Sequence, residues 1–132
     1  MVPVDLVHAD KLEKALTIAA NLSKNFNAPI CYVGMTAKTP SPVAHTPAEF
    51  AEKLAEFARA QSAAHGVQAS SKAYPLDDPA VDMSGALLSA VEDLGADLVV
   101  MASHIPNVTD YVWPSHGGKV ATHSKASVLL VR

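Results

Sequence analysis

What this 132-residue chain lacks already excludes several classes of protein. It has one cysteine, Cys31, so no internal disulfide framework can form, and a reducing, cytoplasmic setting is expected. Cys31 lies among Ile30, Tyr32 and Val33, where a buried core thiol is expected rather than a nucleophile. No apolar run approaches the length that crosses a bilayer, so no membrane insertion is expected, and the start carries no basic-then-apolar signal pattern. Basic residues are not in excess: 10 Lys and Arg stand against 13 Asp and Glu, which argues against a nucleic-acid partner. No internal repeat, low-complexity tract or linker is visible. The chain is therefore expected to be a single domain over residues 1–132, and its 49% apolar content suffices for a hydrophobic core.

What is present alternates. Val2-Pro3-Val4-Asp5 is a short apolar segment ending in an acid, the tail of a buried first strand. It is shorter than a usual strand of about five or six residues, so a few preceding residues are expected to be missing. A helix from about Ala9 to Phe26 repeats Leu12, Leu16, Ala19 and Leu22 on one face. Ile30–Met35 reads as a second strand and 36–45 as a loop. Thr46, Pro47 and Glu49 form the start signature of a second helix: cap, first-turn proline and capping box. That helix runs to about His65 and stops at Gly66. Val67–Tyr74 alternates apolar and polar residues, as a strand near a sheet edge does. Asp78-Pro79 opens a third helix, about Ala80–Leu94, which Gly95 ends. Leu98–Ala102 is the most continuously apolar strand. A short helix near Gly118–Ser124 and a last strand, Val128–Val131, complete the chain.

Five strands alternating with helices predict a doubly wound α/β sandwich, a parallel sheet in order 3-2-1-4-5 with helices on both faces. In such sheets a ligand sits outside the carboxyl ends of the strands. There the apolar run Gly95–Met101 gives way to Ala102-Ser103-His104, a turn-rich loop, and Ser115-His116-Gly117-Gly118-Lys119 before a helix. Backbone N–H groups past a strand end, facing a helix N-terminus, form a cradle for phosphate.

With these residues in place the chain resembles the universal stress protein family over nearly its whole length. Val-Pro-Val-Asp is similar to the family's first strand, Gly-Ala-Asp-Leu-Val-Val-Met to its fourth, and Val-Leu-Leu-Val-Arg to its last. The loop from Ser103-His104-Ile105-Pro106 to Thr109 and Tyr111 resembles one bacterial subgroup with a Ser-His-x-Pro loop. Nucleotide-binding members carry Gly-x-x-Gly, nine residues, then Gly-Ser or Gly-Thr. Here Ala102 and Ile105 stand at the first two glycines, and after eight residues Pro114-Ser115 stands at the third. Pro114 is the serious departure, because it removes a backbone N–H and fixes φ.

The resemblance implies an adenine nucleotide, ATP or AMP, with magnesium, held by Pro3, Val4, Asp5, Val33, Met101, Ala102, His104, Ile105, Ser115, His116 and Gly117. It places Asp5 at the nucleotide and its metal ion; loop hydrogen bonding would equally explain a carboxylate at a strand end. Val33 matches a position whose backbone meets adenine, or it is core. Ser115 is a phosphate-binding hydroxyl or a helix N-cap. The resemblance also implies a cytoplasmic stress-response sensor or regulator, with an unidentified protein partner. It implies a homodimer through the last strand, whose edge residues Val128, Leu129, Leu130 and Val131 suit antiparallel pairing. The alternative is a dimeric interaction module of the same fold that binds no nucleotide.

Other constellations fail as chemistry. Ser103, His104 and Asp110 are too close in sequence for a catalytic relay, and Ser103 lacks a nucleophile-elbow context. The spacing of His104, His116 and His123 matches no zinc site, and a solvated or helix-terminus role suits His123. Gly118-Lys119 lacks the rest of a phosphate-loop motif. Trp113 has no basic stripe beside it and is expected to pack at a loop or interface. No general base or metal-ligand set points to an enzyme beyond a weak ATPase.

Overall fold

Helix starts and stops in this chain follow local chemistry closely. The computed structural model describes residues 1–103 and 116–132. In chain order these form β1 (Val2–Pro3), a 3-10 helical segment (Leu6–Lys11), α1 (Glu13–Phe26), β2 (Ile30–Ala37), α2 (Pro47–His65), β3 (Ala69–Leu76), α3 (Pro79–Leu94), β4 (Leu98–Ala102), α4 (His116–His123) and β5 (Ser127–Val131). Thr46 caps α2 by accepting the Glu49 N–H at 3.1 Å. The Glu49 carboxylate reaches back to the His45 N–H at 2.8 Å, one residue before the cap. Gly66 ends α2 at φ 62°, a left-handed conformation that glycine adopts without a Cβ penalty.

The strands are parallel throughout, but they do not form the single five-stranded sheet in order 3-2-1-4-5 expected from the alternation. They form two sheets, β1-β2-β3 and β4-β5. The physical reason lies in β1, which is only two residues long and includes Pro3, a residue with no N–H to donate. The sheets meet at Met1, whose amino group donates to the Leu98 carbonyl at 2.8 Å and whose carbonyl accepts from Val100 at 3.0 Å. β3 is the outer strand of its sheet, as its alternation predicts. It begins two residues later than expected, at Ala69, and runs to Leu76.

Two further boundaries move. The first helix is preceded by the 3-10 segment and begins at Glu13 rather than Ala9, and α4 begins at His116 rather than Gly118. One cluster of buried residues joins the elements: Leu16 and Ala20 of α1, Tyr32 of β2, Leu54 of α2, Leu87 of α3, Val99 and Met101 of β4, and Val120 of α4. α2 packs on β2 and β3, and α2 crosses so near β2 that only glycine fits at residue 34. A Cβ there would lie 2.7 Å from Phe50 Cε1 and 3.1 Å from Leu54 Cδ2. Cys31 is half-buried rather than enclosed in the core. Among the described residues no helix is long and apolar enough to cross a membrane.

Candidate functional site

The carboxyl ends of β1, β2 and β4 converge as open α/β sheets require of a binding site. Val4 follows β1 directly, and its N–H donates to the Val33 carbonyl at 2.8 Å, which holds the end of β1 against the middle of β2. Both residues are buried, Val4 at 1% and Val33 at 0% exposure. Beyond them lies a cavity of about 160 Å3 lined by Val4, Asp5, Met35, Thr36, Phe50 and Met83 among others. This is smaller than the roughly 300–1,000 Å3 of a usual ligand pocket, with room for one part of a ligand at most. A larger cavity, about 620 Å3, lies at the opposite ends of the strands, beside Met1, Ile30, Leu98 and Ser127. The carboxyl-end cavity is the better candidate, because loops and helix N-termini there supply backbone donors.

Asp5 occupies the rim of that cavity and is fully engaged with its own loop. Its Oδ1 accepts the Val7 N–H at 2.9 Å, and its Oδ2 lies 2.7 Å from His8 Nδ1. The carboxylate thus caps the 3-10 segment and is only 13% exposed. Sequence reasoning left loop bonding and a metal role open, and the structure shows the bonding. His8 was not foreseen; its spacing of three residues from Asp5 is the signal that could have found it. Among the described residues no group of three or more His, Cys, Asp or Glu is placed to hold a metal ion.

At the end of β4, Met101 and Ala102 are buried, and the Ser103 hydroxyl and N–H both donate to the Val131 carbonyl, at 3.3 and 2.9 Å. Ser103 is occupied in tying β4 to β5, which removes it further from a catalytic role. His104, Ile105 and Ser115 lie outside the described residues, as do Trp113, Pro114 and the Ser-His-x-Pro stretch after Ser103.

α4 returns the chain to the site. His116, its first residue, turns its ring to α3, where Nδ1 stands 2.6 Å from Ser84 Oγ. Burial, and then the charge of Lys119, hold its pKa below the ordinary histidine value. The His116 ring is thus tied to α3 through Nδ1. Gly117 is buried and lies close to β5: a Cβ there would stand 2.9 Å from Leu130 Cδ2, so that side chain would have to shift. His123 bonds the Lys119 carbonyl at 3.0 Å and so finishes α4, as a helix-terminus histidine does. Pro3, Val4, Asp5 and Val33 are thus brought together where the end of β1 meets the middle of β2. Met101 and Gly117 meet across β4 and α4, where a Cβ at Gly117 would lie 3.9 Å from Met101 Cε.

Known structures share this fold. A universal stress protein from Archaeoglobus fulgidus superposes with a TM-score of 0.71 at 14% identity, covering 99% of this chain and 96% of that one. The protein from the same organism in complex with dAMP gives 0.66 at 14% identity, over 99% and 94%. A family protein from Arabidopsis thaliana with AMP bound gives 0.58 at 14% identity, over 92% and 76%. At these identities the likeness speaks for the fold. The model of the universal stress protein family, in turn, matches residues 1–132. By that match across its full described and undescribed length, the chain belongs to the universal stress protein family.

Proposed function

We propose that this protein binds an adenine nucleotide, AMP or ATP, across the carboxyl ends of β1, β2 and β4, and acts in the cytoplasm as a stress-response sensor or regulator. The observation that carries the reading is the closed contact of Val4 with Val33 beside the 160 Å3 cavity, with Gly117 of α4 near Met101 of β4. The cavity suits the base, and the first turn of α4 offers N–H groups to phosphate. Relatives with dAMP and AMP bound support this choice of ligand. Magnesium would enter with the nucleotide's phosphates, with Asp5 as an outer contact. The working unit is a homodimer paired along β5.

One observation favours the second reading, an interaction module without nucleotide: both oxygens of Asp5 are already bonded within its own loop. Calorimetry and thermal shift with AMP and with ATP, each with and without magnesium, separate the two. Binding below millimolar concentration, tightened by Pro114→Gly, is the expected result. No heat and no shift at millimolar nucleotide would leave the interaction module.

A further inference from the structure

Packing of α3 against α4 joins a serine to a histidine that the sequence keeps 32 residues apart. Ser84, in the second turn of α3, places its Oγ 2.6 Å from Nδ1 of His116, the first residue of α4. A helical serine often bonds the carbonyl four residues back, but among the described residues the Ser84 hydroxyl bonds His116 alone. A ring that donated from Nδ1 would leave the hydroxyl proton with no acceptor among those residues. The tautomer is therefore assigned as Nε2–H, with Nδ1 accepting from Ser84. Burial, and the charge of Lys119 on the same helix, keep the ring neutral at pH 7. Both residues are half-buried, so a small molecule can reach them. Met83, the residue before Ser84, lines the carboxyl-end cavity, which sets the pair at that end of the sheet.

We propose that Ser84 is a nucleophile with His116 as its base, and that it takes the acyl group of an aryl ester. A hydroxyl hydrogen-bonded to a neutral imidazole is the arrangement that activates serine. Ser84 Oγ attacks the acyl carbon and forms the Oγ–C bond while its proton passes to His116 Nδ1. The bond from the acyl carbon to the phenolic oxygen breaks, and the departing phenolate takes the proton back from Nδ1. Water then attacks the acyl carbon with His116 again as base, which releases the carboxylic acid and restores the hydroxyl. The pair is a dyad: among the described residues no carboxylate bonds Nε2 to orient the ring. A base without that third group is a weak one, which limits the substrate to esters whose leaving group departs readily. Ser103 offers a contrast, since its hydroxyl donates to the Val131 carbonyl and has no base. The proposal is independent of the nucleotide reading.

The test exposes the full chain to millimolar p-nitrophenyl acetate, follows release of nitrophenolate, and maps the acetyl group by peptide mass spectrometry. Mapping separates Ser84 from the other nucleophiles, Cys31 and the lysines. Acetyl is expected on Ser84 and not on Ser103. His116→Asn should slow acetylation of Ser84 by roughly 100-fold, the lower end of what a positioned base contributes. Ser84→Ala should remove the labelled peptide and slow nitrophenolate release. The wild-type protein supplies a readout that needs no variant. Its Ser84 acetylation should rise with pH as His116 loses its proton, with a midpoint below 6.5. Acetyl confined to Cys31 and lysines, with Ser84 unlabelled, overturns the proposal. Labelling of Ser84 that is unchanged by His116→Asn, or flat across that pH range, overturns it as well, because the serine then reacts without its base.

Discussion

Adding one methyl group at residue 34 should damage this protein more than most surface changes. Gly34→Ala places a Cβ 2.7 and 2.9 Å from two ring carbons of Phe50 and 3.1 Å from Leu54 Cδ2. Ordinary carbon contacts begin at about 3.5 Å, so the ring must retreat. Phe50 is 4% and Leu54 0% exposed, so neither can swing into solvent. Overpacking of this kind costs about 1–3 kcal/mol. Against it stands the gain of about 0.4–1 kcal/mol from a less flexible unfolded chain. The clash wins, and a net loss of about 1–2 kcal/mol follows. For a chain of this size that lowers Tm by roughly 3–8 °C in calorimetry.

The free direction for the ring is the carboxyl-end cavity that Phe50 lines. Gly34→Ala should therefore weaken AMP binding as well as stability. Phe50→Leu removes the ring carbons in question, and in that background the same substitution should be neutral or stabilising. A Tm unchanged or raised in Gly34→Ala alone, or equal losses in both backgrounds, would refute the close approach of α2 to β2.

Two other expectations are simpler. Thr46→Ala removes the acceptor for the Glu49 N–H and should cost about 1 kcal/mol in urea unfolding, while Thr46→Ser should cost little. His116 gives a pH dependence whose sign follows from its pKa, which lies below the ordinary 6.5 in the folded state. Its contribution is fully present above pH 6.5 and is lost as the pH falls from there through the folded value, because the unfolded chain takes up the proton first. Stability should thus decline between pH 7.5 and 5.5 less steeply in His116→Asn than in wild type, and equal slopes would remove His116 as the cause.

How much of this was legible in the sequence depended on the distance over which each signal acts. Thr46, Pro47, Glu49 and Gly66 delimit α2 as the residues themselves announce, because caps are made within four residues. The parallel α/β alternation was readable for the same reason. Two sheets in place of one were not, since that outcome turns on a two-residue strand with a proline meeting a partner nearly a hundred residues away. At the site, the approach of Val4 to Val33 followed from topology. The partners of Asp5 and His116 did not. Ser84 lies 32 residues before His116, and nothing local marks the pair. Gly117 was read as a phosphate donor, and nothing in the sequence showed how near its backbone comes to Leu130.

The seam at Met1 gives the molecule a line along which its backbone protection is thin. Residues 2–76 complete one ladder and residues 98–131 another, while only two backbone hydrogen bonds, both at Met1, cross between them in the sheet among the described residues. Apolar contact, not amide pairing, holds the halves together. In native-state hydrogen exchange the Val100 amide, which Met1 alone accepts, should open ahead of the β2–β3 ladder. Along the chain, then, the described residues form two hydrogen-bonded ladders that share one core.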